Sequence, residues 1–192
     1  VDRAPAPHLR HAAVAEAERS HDQRGFRGIG LPSNVEGRYL GDPWYERILD
    51  LAETRGVPVF VHPALNPLSG PLTLGRPPFL VEFPLDTFRS IVDALYAGVF
   101  DRHPRLRMVV AHCGGALPAL AWRVASLADL VGPPDSGPGP QQVQHALAGL
   151  YLDTALSGHP AVLNAAAEIV GTDHLLYGTD CGAASDDLIA TN

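Results

Sequence analysis

The 192 residues suit one domain with a sizeable core, and a net charge of −7 without any basic run excludes a nucleic-acid footprint, which needs clustered cations. All 14 basic residues are Arg. That removes a Schiff-base lysine, a P-loop lysine and a carbamylated lysine bridging two metals, so any metal site is expected to be mononuclear.

In chain order, residues 8 to 23 have the Ala, Glu and Arg content of a helix, and Gly25 precedes FRGIGLP, a short strand ending at Pro32. Asp42 is the expected N-cap and Pro43 the first position of the helix WYERILDLAETR, which stops at Gly56. The strand VPVFVHP follows, then a Pro- and Gly-rich loop from Asn66 to Pro78. A helix over Asp86 to Phe100, the turn DRHPR, the strand LRMVVAH and a helix over Leu117 to Leu130 come next. GPPDSGPGP, residues 132 to 140, is expected to be a mobile loop. The helix QQVQHALA, the strand LYLDTAL, a helix opening near His159 and Pro160, and the strand HLLYGTD complete the order. Alternating strands and helices, with near-continuous apolar strands, predict a parallel sheet buried on both faces. The rival, a doubly wound open sheet, lacks a GxGxxG or GxxxxGK loop after any strand.

Three apolar segments end on chemically active residues: VPVFVHP at His62, MVVAHCGG at His112 and HLLYGTDCG at Asp180. His62 is a candidate metal ligand through a neutral imidazole nitrogen, with Pro63 turning the chain out of the strand. Asp180, between Gly178 and Gly182, can bind a metal or hold a water, or else cap the next helix. His112, followed by Cys113, Gly114 and Gly115, suits proton transfer or ligation; a structural hydrogen bond is the bland alternative for both histidines. Asp153 and Thr154 also end a strand and are candidates to orient His112 or the loops, with a purely structural hydrogen-bonding role as the alternative.

Arg38 is a candidate fork for a substrate carboxylate, and Trp44, Phe60 and Phe79 line a pocket or pack in the core. His8, His11, His21, His103, His145, His159 and His174 have no motif around them and are expected at the surface or as caps. Cys113 and Cys181 are expected to be buried free thiols in a reducing compartment, since neither CxxC spacing nor a second pair completes a zinc site. No run of 18 apolar residues and no signal-peptide core is present, so a soluble, cytoplasmic protein with no membrane contact is expected. A GxSxG elbow is missing as well.

The segments GFRGIGLPSNVEGRYLGDPWY, VPVFVHP, FPLDTFRSIVDALYAGVFDRHPRLRMVVAHCGGALPAL, LYLDTALSGHP and LLYGTDCG together resemble the amidohydrolase-related decarboxylases, over nearly the whole chain. That group includes aminocarboxymuconate semialdehyde decarboxylase and the resorcylate and 6-methylsalicylate decarboxylases. The resemblance implies a TIM-type (α/β)8 barrel binding one divalent metal, Zn2+ or in some members Mn2+, at the C-terminal rim. It implies that His62 is the fifth-strand ligand and Asp180 the eighth-strand ligand, catalytic as well. His112, on the sixth strand, would pass a proton to the carbon losing carboxylate, or serve as a ligand as in hydrolytic relatives. It further implies a small-molecule carboxylic acid substrate and a homodimer.

On that alignment only strands 4 to 8 are apparent, so the expectation is one partial barrel domain over residues 1 to 192. The roughly 250 residues of a complete barrel exceed this length. The family's first-strand HxH or ExH pair has no counterpart before Arg24. Nonoxidative decarboxylation of an aromatic or muconate-type acid is the leading expectation. A lactone or amide hydrolase on the same barrel and a non-catalytic barrel fragment are the alternatives.

Overall fold

The computed structural model describes residues 7 to 131 and 137 to 190, with side chains from residue 11 onward. The loop expected at 132 to 140 therefore lies mostly outside the described residues, as does the side chain of His8. Helix α1 (Pro7–Arg24) leads to strand β1 (Ile29–Pro32), and α2 (Glu46–Arg55) to β2 (Val59–His62). The long helix α3 (Glu82–Tyr96) and the short α4 (Val99–Arg102) precede β3 (Met108–Val110); α5 (Leu117–Ser126) and α6 (Pro140–Ala148) precede β4 (Tyr151–Asp153). α7 (Pro160–Val170), β5 (Leu175–Leu176) and α8 (Asp186–Ala190) close the series.

All four strand pairings are parallel and the sheet order is β1-β2-β3-β4-β5. Parallel crossovers are almost always right-handed, so an order that never reverses sends every connecting helix to the same face. A doubly wound sheet needs a reversal to place helices on both faces, and there is none among the described residues. The helices accordingly pack on their neighbours: α1 on α2, α5 on α6 and α7, α6 on α7.

The one-sided layer explains a correction. The strands were expected to be buried on both faces, yet β2 alternates buried Val59 and Val61 with exposed Phe60 and His62. Val59, Val61, Met108, Val110 and Leu152 turn toward Ile48, Leu49, Ile91, Leu95, Leu117, Val143 and Val170 and form the core with them. Each such aliphatic side chain contributes about 1.5–3 kcal/mol by leaving water. The opposite face of the sheet gains no such cover among the described residues, so Phe60 stays 36% exposed and is not a core residue. Phe79 is exposed too, whereas Trp44 packs against the core.

Several element ends moved for local reasons. Asp42 is not the N-cap of α2, which begins at Glu46 after Tyr45 with no side-chain cap; Asp42 Oδ1 instead accepts the Trp44 N–H at 2.7 Å in the turn before the helix. Gly56 ends α2 in the left-handed conformation, as its position predicts. α3 starts four residues ahead of the expected Asp86, because Pro84 is tolerated in a first turn, and left-handed Gly98 separates it from α4. The helix expected to run to Leu130 ends at Ser126 and tightens into a 3-10 turn over Ala128–Leu130. His159 caps α7, its Nδ1 accepting the Ala161 N–H. His103, expected at the surface or as a cap, is the C-cap residue of α4 and is 2% exposed, and Cys181, expected buried, is exposed. Among the described residues no helix is long and apolar enough to cross a membrane.

Candidate metal centre

His62 is the last residue of β2, on the face of the sheet away from the core. His112 lies two residues past β3 and Asp180 four past β5, so both are set by loops rather than by the strands themselves. The structure nevertheless brings the three together: one ligand atom from each lies within 4.8 Å of the other two. The imidazole rings of His62 and His112 meet edge to face at 5.6 Å between centroids.

Backbone conformation aims the second and third groups. His112 (φ 55), Cys113 (φ 52), Gly114 (φ 71) and Gly115 (φ 65) are four consecutive left-handed residues, and Asp180 (φ 56) is left-handed as well. Only six non-glycine residues among those described adopt positive φ, and three of them are His112, Cys113 and Asp180. Each costs roughly 1–2 kcal/mol, so surrounding contacts must hold them there, a concentration of strain typical of functional sites. Gly115 shows one such contact: a Cβ there would collide with the Pro84 carbonyl at the start of α3. Cys113 is fully buried and burial pushes its thiol pKa up, so it is an inert packing group.

Both histidine rings are tied by the same atom. His62 Nδ1 is 3.0 Å from the Pro63 carbonyl oxygen, and His112 Nδ1 is 3.0 Å from that of Ala155. A carbonyl only accepts, so Nδ1 carries the hydrogen in each ring and Nε2 of the neutral imidazole presents its lone pair. That is the tautomer a metal ligand needs. Asp153 sets the second anchor: its Oδ1 accepts the N–H of Ala155 (3.0 Å) and of His112 (3.3 Å). Thr154 Oγ1 accepts the Gly178 N–H, stitching β4 to the loop that carries Asp180. Asp180 does not cap α8; the Ser185 hydroxyl accepts the Leu188 N–H there.

Other candidates are placed elsewhere. Arg38 pairs with Asp42 at 3.1 Å instead of presenting an open fork. His174 stacks on Tyr151 and its Nδ1 meets the Leu150 carbonyl. His103 faces Glu46 (3.2 Å) and Asp50 (3.5 Å) outside the site. A cleft of about 500 Å³ beside His103 and His145 and one of about 360 Å³ between α1 and β1 do not reach the cluster.

A buried polar network beneath the rim escaped the sequence. Asp86 is 1% exposed, and its carboxylate accepts from the Ser33 hydroxyl, Asn34 Nδ2 (2.7 Å) and the Tyr39 hydroxyl (2.8 Å). Asn66 Nδ2 donates to the Tyr39 oxygen (2.9 Å). The sequence holds Ser33–Asn34 directly after a strand and Asp86 and Ser90 about one turn apart on α3, but nothing in it pairs the two segments.

A parallel sheet in sequential order, with two histidines and an aspartate converging at its C-terminal rim, defines an α/β protein with a candidate single-metal centre. The chain belongs to the amidohydrolase family, whose model matches residues 4–184. It is 30% identical over 164 residues to 6-methylsalicylic acid decarboxylase of Penicillium expansum, covering 85% of this chain and 49% of that protein. It is 33% identical over 113 residues to 2-amino-3-carboxymuconate-6-semialdehyde decarboxylase of Dictyostelium discoideum, covering 59% of this chain and 32% of that one. Among solved structures, 5-carboxyvanillate decarboxylase of Novosphingobium aromaticivorans, complexed with manganese and a nitrobenzoic acid, superposes with a TM-score of 0.85 at 22% identity. That match covers 98% of this chain and 56% of the other. The chain thus spans about half the length of these relatives or less.

Proposed function

We propose that the protein removes carboxylate, without oxidation, from an aromatic or muconate-type acid, with His62 and Asp180 holding one divalent metal ion and His112 moving the proton. The observation that carries this reading is the convergence of the three side chains within 4.8 Å, with both Nδ1 atoms already engaged on carbonyls. The names of the Penicillium and Dictyostelium relatives support the reaction class.

Imidazole nitrogen and carboxylate oxygen suit Zn2+, and the manganese of the Novosphingobium structure makes Mn2+ the other candidate. When bound, the ion supplies the positive charge that gathers the substrate carboxylate or a neighbouring phenolic oxygen. His112, protonated, delivers the Nε2 proton to the ring carbon bearing the carboxylate, while the Ala155 carbonyl retains Nδ1–H. The carbon–carbon bond then breaks, its electron pair returns to the ring, and carbon dioxide leaves. His112 regains a proton from water, so one solvent proton replaces the carboxylate. Asp180 also holds that water in place.

The sequential parallel sheet supports a single domain forming part of an (α/β)8 barrel in the whole protein. The free thiols Cys113 and Cys181 support a cytoplasmic location, and exposed Leu68, Leu74 and Phe79 after β2 support a homodimer. The test is carbon dioxide release from 2-hydroxybenzoates by the metal-loaded protein. Release that disappears in His112→Ala supports the proposal. Hydrolysis of a lactone or amide without carbon dioxide would assign the site to a hydrolase.

A further inference from the structure

We infer that Asp86 and Ser33 are positioning residues for His62, acting through the peptide group between Pro63 and Ala64. The Ser33 hydroxyl donates to Asp86 Oδ2, and its own Oγ accepts the Ala64 N–H at 2.8 Å. That N–H shares one rigid peptide plane with the Pro63 carbonyl, on which His62 Nδ1 is anchored. The chain therefore runs from a buried carboxylate, through a hydroxyl and a peptide group, to the ring of the candidate ligand. It does the work that a carboxylate hydrogen-bonded directly to a ligating histidine does elsewhere.

Three further contacts hold the relay still. The Ser33 N–H donates to the His62 carbonyl at 2.7 Å, extending the β1–β2 ladder. Asn34 Nδ2 bonds both Asp86 and the Ala64 carbonyl. Tyr39, on the other Asp86 oxygen, receives Asn66 Nδ2. Ser33 is fully buried, so its hydroxyl has no water to substitute for either partner. The Pro63–Ala64 peptide is thus fixed from β1 and α3, while His112 is anchored separately on Ala155. That independence makes His112 an internal control.

The inference rests on the proposed role of His62, but its first readout needs no metal. Long-range nitrogen–proton NMR of the histidine rings in the metal-free chain, at about pH 8 where imidazole is neutral, reports the tautomer of each. Ser33→Ala is expected to speed exchange of the Ala64 amide and raise the minor Nε2–H form of His62 about five-fold, one lost hydrogen bond's worth, with His112 unmoved. Zn2+ affinity is expected to fall about 10- to 100-fold. An unchanged His62 tautomer ratio, or an equal change at His112, overturns the inference. Should Ser33→Ala not fold, Asp86→Asn, which keeps the side-chain size, is read in the same way. A native chain that binds no Zn2+ refutes the ligand role of His62 and leaves the tautomer result to decide the relay.

Discussion

Gly178 packs so closely on Asp153 that a Cβ at residue 178 would occupy the space of the Asp153 carboxylate. The same carboxylate holds the amides of His112 and Ala155, and Ala155 in turn anchors the His112 ring. Gly178→Ala is therefore expected to displace Asp153 and release His112. The overpacking should cost about 1–3 kcal/mol in urea unfolding, with faster amide exchange at His112 and Ala155. Full protection at both amides in that variant would show that Asp153 does not set the turn.

The one-sided sheet separates two residues that look alike in sequence. Met108 is fully buried against the helices, whereas Phe60 lies on the other face and is 36% exposed. Met108→Ala should cost about 2–5 kcal/mol of stability, and Phe60→Ala, at a partly covered position, only about 1–2 kcal/mol. A loss from Phe60→Ala as large as that from Met108→Ala would mean that another part of the molecule covers that face.

Burial, and then the hydrogen bond to Asp86, push the Tyr39 phenol up to about 12 from its usual 10. The folded pKa lies above the unfolded one, so this contribution is fully present below about pH 10 and is lost as pH rises through about 12. Tyr39→Phe should flatten the alkaline fall in stability across that window. Unfolding midpoints measured from pH 9 to 12 would check it, and identical slopes in the two proteins would place the loss at other groups.

Much of the frame was legible because it depends on short-range patterns. Gly56 as a left-handed stop, Pro160 opening a helix capped by His159, and the strand carrying His62 all follow from local chemistry. The three residues that converge, His62, His112 and Asp180, were singled out too, since each follows an apolar segment. What sequence could not supply was long-range geometry. Asp86 meets Ser33 and Asn34 across more than fifty residues, and no local pattern distinguishes a buried, satisfied carboxylate from one on a solvated helix face. The burial of His103, a cap of α4, was hidden for the same reason: its partners Glu46 and Asp50 are brought to it by tertiary packing. The burial of strands on both faces failed because apolar composition reports what a strand can bury, not what covers it in this chain.

Electron paramagnetic resonance titration with Mn2+ tests the metal centre most directly, because free and bound ion give separable signals without any assumption about substrate. The account predicts one bound ion per chain, lost in His62→Ala and in Asp180→Ala and kept in His112→Ala. Uptake that survives both the His62 and the Asp180 substitutions, or that is missing from the native chain, would contradict it.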